Sequence, residues 1–175
     1  MPQMLMRQPQ DTISKFVGAC AAQVAAGPGT KVLDIPCGYG RHARFFASRG
    51  CSVVAVDIDE ERIFEAKKIS SMKPIYWCTA DIEAPLPFAD NYFDLVLVVH
   101  YVSNRIVEIA RNALKPGGHL IFETFDARGQ NWRALPARGS MERALENKFD
   151  VISINERLVG PKLTHAVVRT FARHR

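Results

Sequence analysis

The sequence predicts an α/β fold: a doubly wound, mostly parallel seven-stranded sheet with one antiparallel strand near the C-terminus. Apolar strand-like runs alternate with helix-like segments through residue 125, which is typical of parallel strands joined by helical crossovers. A glycine turn, CGYG at residues 37–40, follows the first strand-like run. Only a short turn at Gly160-Pro161 separates the last two strand-like segments, so they can form an antiparallel hairpin but not a helical crossover.

The first half of the chain alternates helices with short buried strands. A helix is predicted over residues 12–26, and Gly27-Pro28-Gly29 ends it. Asp59 is a natural N-cap for a helix that runs to residue 70. The other elements predicted here are the helix 41–49 and the strands 31–35, 51–57 and 75–80.

The second half continues the alternation and then changes character. Prolines exclude a long helix between residues 81 and 92. A helix over 103–114 is expected to end at the turn 115–118, and Ser140 is the expected N-cap of a helix over 140–147. The strands predicted in this half are 93–99, 119–125, 149–159 and 163–173.

Length and composition indicate one globular domain over residues 1–175, with 47% apolar and 23% charged residues. Apolar runs such as 95–99 are too short to span a bilayer, and the N-terminal ten residues lack the apolar region of a signal peptide. We therefore expect a cytoplasmic protein that does not enter a membrane. The four cysteines form no CxxC pair and the five histidines show no metal-ligand spacing, so no metal site is predicted.

Positive charge is concentrated at the C-terminal end. The whole chain carries +5, whereas residues 128–175 contain ten Lys or Arg against four acidic residues, a balance of +6. This segment has two interpretations that the sequence leaves open. It is either a solvated basic surface or a face for an anionic substrate or a nucleic acid.

The candidate site lies where the predicted parallel strands end, because open α/β sheets bind ligands beyond the carboxyl ends of their strands, beside strand one. Gly38 and Gly40 let the backbone turn sharply there and approach a ligand closely. The polar residues at the strand ends are Asp34, Asp57, Asp81, His100 with Tyr101, and Glu123 with Thr124.

Three of these carboxylates suit parts of an amino-acid-bearing nucleoside. Asp57 can accept both hydroxyls of a ribose, since Asp59 is better placed to cap the next helix. Asp81 can accept from an adenine amino group, while the backbone N–H of Ile82 donates to a ring nitrogen. Asp34 would repel a pyrophosphate beside the glycine turn but suits a ligand ammonium.

Four segments occur in order and at suitable spacing: VLDIPCGYGRHA, VVAVDID, TADIEAPLPFADNYFDLVLV and ALKPGGHLIFETF. Together they resemble the successive motifs of class I S-adenosylmethionine-dependent methyltransferases, over residues 12–125. The compact length and the stretch GRHARFFASRG are most similar to the small bacterial tellurite-resistance-type and thiopurine-type members.

The resemblance implies a Rossmann-like methyltransferase fold with S-adenosylmethionine as cofactor. It implies that His100 faces the methyl group and the substrate. Pro36 stands where the family more often has a small residue or glycine, and Cys37 is a common variant. The residues implied in cofactor binding are Asp34, Pro36, Cys37, Gly38 and Gly40 around the methionine end, Asp57 and Ile58 at the ribose and adenine edge, Asp81 and Ile82 at the adenine, and His100.

The acceptor side is less defined by the sequence. His100 is a candidate general base because histidine titrates near neutrality, and a hydrogen-bonded structural histidine is the alternative. Tyr101 would present an oriented hydroxyl or serve only in packing. In the loop after strand five, Asn131 and Trp132 would cover the acceptor unless the aromatic belongs to the core. Three arginines there suit an anionic acceptor or are simply solvated: Arg128, Arg133 and Arg138.

A small-molecule acceptor is favoured over a nucleic acid, because nothing added to the core is large enough to grip a macromolecule. Two other functions remain as alternatives. The segment GYGRHA fits the G-x-G-x-x-A pattern of nicotinamide-dependent oxidoreductases, but that function leaves Asp81 without a role and the chain has no room for a substrate domain. The other alternative is a catalytically silent cofactor-binding partner or nucleic-acid accessory subunit, consistent with the basic C-terminal segment.

Overall fold

A computed structural model describes residues 12–70, 74–124 and 131–175. Its helices are α1 (Lys15–Gln23), α2 (Arg41–Ser48), α3 (Glu60–Lys68), α4 (Ile106–Ala113) and α5 (Ser140–Leu145), with a 3-10 turn at Trp132–Ala134. Its strands are β1 (Lys31–Asp34), β2 (Ser52–Asp57), β3 (Ile75–Thr79), β4 (Phe93–Val99), β5 (Leu114–Glu123), β6 (Phe149–Val159) and β7 (His165–His174).

The seven strands form one sheet in the order β3-β2-β1-β4-β5-β7-β6. Neighbours from β3 to β5 pair in parallel, whereas β7 runs antiparallel to both β5 and β6. The predicted fold, with one reversed strand near the C-terminus, is therefore confirmed. The strand order reverses at β1, which lies between β2 and β4, and this is the point where such sheets bind ligands.

Helices cover both faces of the sheet because the strand side chains alternate between two apolar clusters. In β4, Leu95 and Leu97 pack in the cluster that contains α1, α2 and α3 residues such as Phe46. Val96 and Val98 of the same strand pack in the other cluster, with residues of α4 and α5. The carboxyl ends of β1, β2 and β4 are thus fixed by a core on each face.

The predicted bounds match at both ends for β4, which is buried, and for β6, which is a mostly exposed edge strand. The predicted Asp59 cap is also confirmed, because its Oδ1 accepts from the Arg62 N–H at 3.1 Å. The first helix is shorter than predicted, since Ser14 caps it by accepting from the Phe16 N–H at 3.2 Å.

Two predicted boundaries in the second half were wrong. Residues 115–118 belong to β5 instead of forming a turn before it, because Leu114 already pairs with Phe93 of β4. Ser140 is the first residue of α5 and not its cap. Gly139 takes the cap position with φ of 67°, and its N–H donates to Glu156 Oε2 at 3.1 Å.

Three expectations concern the chain as a whole. Within the described ranges, no helix has both the length and the apolar character needed to cross a membrane. That residues 1–175 form a single domain, and that the protein is cytoplasmic, remain predictions.

Candidate functional site

The glycine turn between β1 and α2 is held by backbone hydrogen bonds. The Cys37 N–H donates to Val56 O at 2.8 Å, and the Gly40 N–H donates to Cys37 O at 2.9 Å. Gly38 and Gly40 have φ of 54° and 71°, which favours glycine at both positions. Their surroundings differ: a Cβ at Gly38 would meet nothing within 4 Å, whereas one at Gly40 would lie 2.7 Å from a ring carbon of Trp77. Gly38 is therefore open to a ligand, and Gly40 is needed for packing.

Asp34 is a buried carboxylate without a counterpart. It is 1% exposed, and neither oxygen has a hydrogen-bond partner among the described residues. Burial raises the pKa of this carboxyl to about 7, although the nearby Ala43 backbone N–H, too poorly aligned for a hydrogen bond, and the Arg41 guanidinium act in the opposite direction. An unpaired buried carboxylate destabilises a fold, so this one indicates a cationic or donor ligand at the end of β1. The ammonium of an amino-acid-bearing nucleoside fits this requirement.

Asp57 ties the end of β2 to the glycine turn. Its Oδ2 accepts from the Gly38 N–H at 2.7 Å and its Oδ1 accepts from the Asp59 N–H at 3.0 Å. Each carboxylate oxygen can accept further bonds, so the predicted ribose contact stays compatible with this geometry. The link to the turn is a role that the sequence did not indicate.

The remaining residues predicted for the nucleoside lie at the ends of β2 and β3. Ile58 is 67% exposed and presents an apolar surface beside Asp57. Asp81 is exposed, and its Oδ1 accepts from the Glu83 N–H at 2.9 Å, while the side chain of Ile82 is buried. An exposed apolar side chain next to a polar edge suits a flat heterocycle such as adenine.

Two other residues predicted for the cofactor belong to the wall of the turn. Pro36 is half-buried and follows Ile35 in the core. Cys37 is buried, and burial strongly raises the pKa of its thiol. The thiol is therefore an apolar lining group and not a nucleophile.

His100 and Tyr101 follow β4 and differ in what their side chains can do. His100 has φ of 63°, and its backbone N–H donates to Glu123 O at 2.7 Å. Burial, aided by Arg41 and opposed by Glu123, lowers the pKa of its imidazole, so the imidazole is neutral at pH 7 and is a weaker base than an exposed histidine. The Tyr101 hydroxyl donates to Glu83 Oε1 at 2.8 Å, and burial together with Glu83 raises its pKa to about 12. Tyr101 is thus a hydrogen-bonding group and not a base.

A cavity of about 320 Å³ opens beside these two residues. Its lining residues are His100, Tyr101, Val102, Thr124, Asn131, Ala134 and Leu135. Asn131, which the sequence suggested would cover the acceptor, is one of these lining residues.

Trp132 does not line this cavity, because its ring packs against His165 with 4.9 Å between centroids. The Arg133 guanidinium lies 4.5 Å above the Trp132 ring, and the Arg138 backbone N–H donates to Thr164 O at 2.8 Å. Arg128 lies outside the described residues. The described arginines of this loop, Arg133 and Arg138, therefore do not line the cavity.

His42 is a site residue for which sequence reasoning gave no role. It is 3% exposed, and its Nε2 accepts from the Ser14 N–H at 3.4 Å. Burial lowers the pKa of this imidazole to about 3, so it stays neutral. The neighbouring Arg41 guanidinium donates to Thr12 O at 3.5 Å. The first turn of α2 thus holds residues 12–14 beside the glycine turn. In the sequence, the position of His42 within the motif GYGRHA was the only signal for this role.

Comparison with known proteins adds a family to this geometry. Residues 32–118 match the family described as "Methyltransferase domain". Over 141 residues, the chain is 33% identical to a malonyl-[acyl-carrier protein] O-methyltransferase of Enterobacter lignolyticus, covering 74% of this chain and 55% of that protein. Over 112 residues, it is 33% identical to a ubiquinone biosynthesis O-methyltransferase of Idiomarina loihiensis, covering 59% of this chain and 46% of that protein. The chain thus spans about half the length of these relatives.

A solved structure supports the same fold. The N-methyltransferase NodS of Bradyrhizobium japonicum, in complex with S-adenosyl-L-homocysteine, superposes with a TM-score of 0.68 at 19% identity. The match covers 91% of this chain and 85% of NodS.

Proposed function

Because residues 32–118 belong to the methyltransferase-domain family, we propose that the protein binds S-adenosylmethionine and transfers its methyl group to a small-molecule acceptor. The observation that carries the proposal is the unpaired, buried carboxylate of Asp34 at the end of β1. It calls for a positive group at the point where the strand order reverses. The α-ammonium of the cofactor is such a group, whereas a dinucleotide would bring a pyrophosphate there.

In the proposed complex, different residues around Asp34 bind different parts of the cofactor. Gly38 leaves room for close approach to the backbone, since no atom lies within 4 Å of the place of its missing side chain. In the proposed complex, Asp34 and the turn residues Pro36, Cys37, Gly38 and Gly40 surround the methionine end, Asp57 and Ile58 hold the ribose and the adenine edge, and Asp81 and Ile82 hold the adenine.

The bound cofactor supplies a methyl group that its sulfonium already activates. The protein then has to align the acceptor atom and keep water away, and alignment alone accounts for much of such a rate. His100 lies at the cavity, is neutral, and takes a proton from an acceptor that is protonated at working pH. Tyr101, whose hydroxyl is held by Glu83, lines the cavity as a fixed wall.

The size of the cavity supports the proposal that the acceptor is a small molecule. A volume of about 320 Å³ is at the lower end of the range for small-molecule sites. The two relatives are named for malonyl-[acyl-carrier protein] and for ubiquinone biosynthesis, which fits acceptors that present a small reactive head. At a finer level, we propose that the protein is most similar to the tellurite-resistance-type and thiopurine-type members. We also propose that its acceptor is anionic and interacts with Arg133 and Arg138.

Isothermal titration with S-adenosylhomocysteine tests the cofactor assignment. We expect Asp34→Asn to weaken binding by about tenfold or more, because hydrogen bonds to charged groups contribute roughly 1.5–3 kcal/mol. Asp90→Asn, which alters an exposed carboxylate in the loop before β4, is the matched control and should bind normally. Equal affinity of Asp34→Asn and wild type would remove the main support for the proposal. Failure of the wild type to bind, with binding of NADH instead, would favour the nicotinamide alternative.

A further inference from the structure

A second cavity lies at the opposite edge of the sheet from Asp34 and the glycine turn. It has a volume of about 430 Å³, and its lining includes Lys31, Ser52 and Phe93, the first residues of β1, β2 and β4. We call it the amino-end cavity. A cavity of this size can hold a small molecule, and the proposed function gives it no role.

The amino-end cavity exists because the connection from β3 to β4 contains no helix. Parallel strands are usually joined by a helix that covers one face of the sheet. Residues 80–92 form turns instead, and Pro85 and Pro87 interrupt any helix there. Helices α2 and α3 pack on the other face of β2 and β3, while α4 and α5 lie against β4, β5 and β6. In the part of the chain that the structure describes, one face of β2 and β3 therefore has no helix over it.

Strand register shows which side chains lie on that face. Leu33 packs in the apolar cluster of this side of the sheet, and it pairs with Val54, which pairs with Tyr76. Side chains alternate along a strand, so Lys31 and Ser52, two residues before Leu33 and Val54, lie on the same face. All of these residues except Leu33 line the amino-end cavity. Their side chains thus share the face over which the cavity lies.

Aromatic rings form much of the cavity wall. Tyr76 is 64% exposed and Tyr92 is 41% exposed, although both rings are large and mostly apolar. Phe88 packs edge-on against Phe93, with 5.8 Å between the ring centroids. Exposed aromatic rings beside a cavity favour a flat apolar ligand, because rings gain from stacked and edge-to-face contacts as well as from burial.

The lysine in this wall brings a positive charge that the cavity does not neutralise. Lys31 Nζ lies 3.9 Å from the centroid of the Tyr92 ring. Asp94 is near, but its Oδ2 accepts from the Lys31 backbone N–H at 2.8 Å and its Oδ1 accepts from Lys115 Nζ at 2.7 Å. No lining residue is acidic, and across the described ranges no carboxylate forms an ion pair with the Lys31 ammonium.

A similar pair on α3 shows what is different about Lys31. Lys68 Nζ lies 4.1 Å from the centroid of the Phe64 ring, but it also pairs with Glu65 Oε1 at 2.6 Å. The charge of Lys68 is therefore balanced within its own helix, and neither Lys68 nor Phe64 lines the amino-end cavity. A contact with a ring gives only a weak attraction at an exposed site, so Lys31 can still bind an anion.

We propose that the amino-end cavity binds a small aromatic carboxylate, with its ring against Tyr76 and Val54 and its carboxylate on Lys31 Nζ. Neighbouring strands lie about 4.8 Å apart, so β1 and β3, which flank β2, are separated by about 10 Å. A fused two-ring acid has a suitable length for this span. The proposal does not depend on the proposed function, because the cavity and Asp34 lie at opposite edges of the sheet.

The test uses the full chain and three probes with the same carbon frame: 2-naphthoate, the neutral 2-naphthamide and the saturated decahydro-2-naphthoate. Amide chemical shifts in ¹⁵N spectra locate each probe and give its affinity. We expect 2-naphthoate to bind most tightly and to shift the amides of Ser52, Val54, Tyr76 and Tyr92. No binding, equal affinity for 2-naphthoate and either analogue, or the largest shifts at the glycine turn would each overturn the proposal.

Two pairs of variants test the charge and the ring separately. Lys31→Gln should weaken 2-naphthoate binding by about tenfold and leave 2-naphthamide binding unchanged, which also shows that the variant is folded. Lys68→Gln is its matched control and should bind as wild type. Tyr76→Leu should remove the preference for 2-naphthoate over its saturated analogue, whereas Phe64→Leu should keep it. Wild-type affinity in Lys31→Gln, or a wild-type preference in Tyr76→Leu, would contradict the proposal.

Two further measurements exclude other occupants of the cavity. Saturation with S-adenosylhomocysteine should leave 2-naphthoate binding unchanged, and displacement would place the acid in the nucleoside site and overturn the proposal. Without any probe, the Tyr76 and Tyr92 amide shifts should not depend on protein concentration. A dependence would show that a second copy of the chain covers the cavity, which also contradicts the proposal. Failure of the wild type to bind S-adenosylhomocysteine contradicts only the proposed function, since 2-naphthoate binding is measured without it.

Discussion

The proposed cofactor half of the site, at the carboxyl ends of β1, β2 and β3, is built differently from the proposed acceptor half, at the carboxyl ends of β4 and β5. Bonds from backbone N–H groups hold the first together: the Asp57 carboxylate accepts from the Gly38 N–H, and the Cys37 N–H donates to Val56 O. Bonds between two side chains hold the second, as in the bond from Tyr101 to Glu83 and the pair of Glu123 with Arg169.

Because of this difference, the two halves should differ in how well they tolerate mutations. A turn fixed by its own backbone has few ways to relax, and the left-handed glycines and the buried Asp34 leave it sensitive to single changes. A cavity lined by half-exposed side chains can change its lining while the sheet beneath stays the same. We therefore expect mutations in the cofactor half to have large effects on stability, and mutations in the acceptor half to have small ones.

The largest expected effect comes from Asp34 and depends on pH. Burial raises the pKa of its carboxyl to about 7, compared with an ordinary 3.8. The folded state thus holds a proton that the unfolded state has already lost between these values, so stability falls as pH rises from about 4 to 7. At one pKa unit per 1.36 kcal/mol, the cost above pH 7 reaches about 4 kcal/mol.

Asp34→Asn should abolish this cost and be more stable than the wild type at pH 8, but not at pH 4. Urea denaturation at both values measures the difference. His42 contributes with the opposite sign, because its pKa of about 3 is depressed and stability is lost as pH falls below 6.5. Since His42 is present in both proteins, only the difference between wild type and Asp34→Asn is informative. A difference that does not change with pH would show that the pKa of Asp34 is not raised in the folded protein.

The second effect in size is that of Gly40→Ala. The new Cβ would collide with the Trp77 ring, and the alanine would have to adopt the left-handed φ of 71°. We therefore expect a loss of about 3 kcal/mol in unfolding free energy. Gly38→Ala is the matched control with similar φ but free space, and it should cost about 1 kcal/mol. Equal costs for the two variants would mean that the backbone conformation, and not the contact with Trp77, is limiting.

The smallest effect is expected in the acceptor half. Tyr101→Phe removes the hydroxyl that donates to Glu83 and should cost about 1 kcal/mol or less, because the residue is only half-buried. Binding of S-adenosylhomocysteine should not change. A marked loss of cofactor affinity in this variant would show that the two halves are coupled, contrary to the comparison above.

Much of the fold and of the cofactor half was predictable because it is contiguous in the sequence. The apolar run 93–99 gave β4 at both ends, and the family match over residues 32–118 confirms the resemblance to methyltransferases. The predicted cofactor contacts themselves stay predictions. Boundaries were missed where pairing with another strand overrode a local turn signal, as at residues 115–118.

The sequence by itself determined the order of strands and helices along the chain, the glycine turn, and the acidic residues that end the strands. These features depend on periodicity and turn chemistry, which involve only neighbouring residues. Only the tertiary structure decided which side chains meet. Ser14 with His42, Tyr101 with Glu83 and Glu123 with Arg169 are 28, 18 and 46 residues apart. The packing of α1 against α2, the fold of the loop after β3 and the register of β5 with β7 bring these pairs together, and no local pattern encodes them.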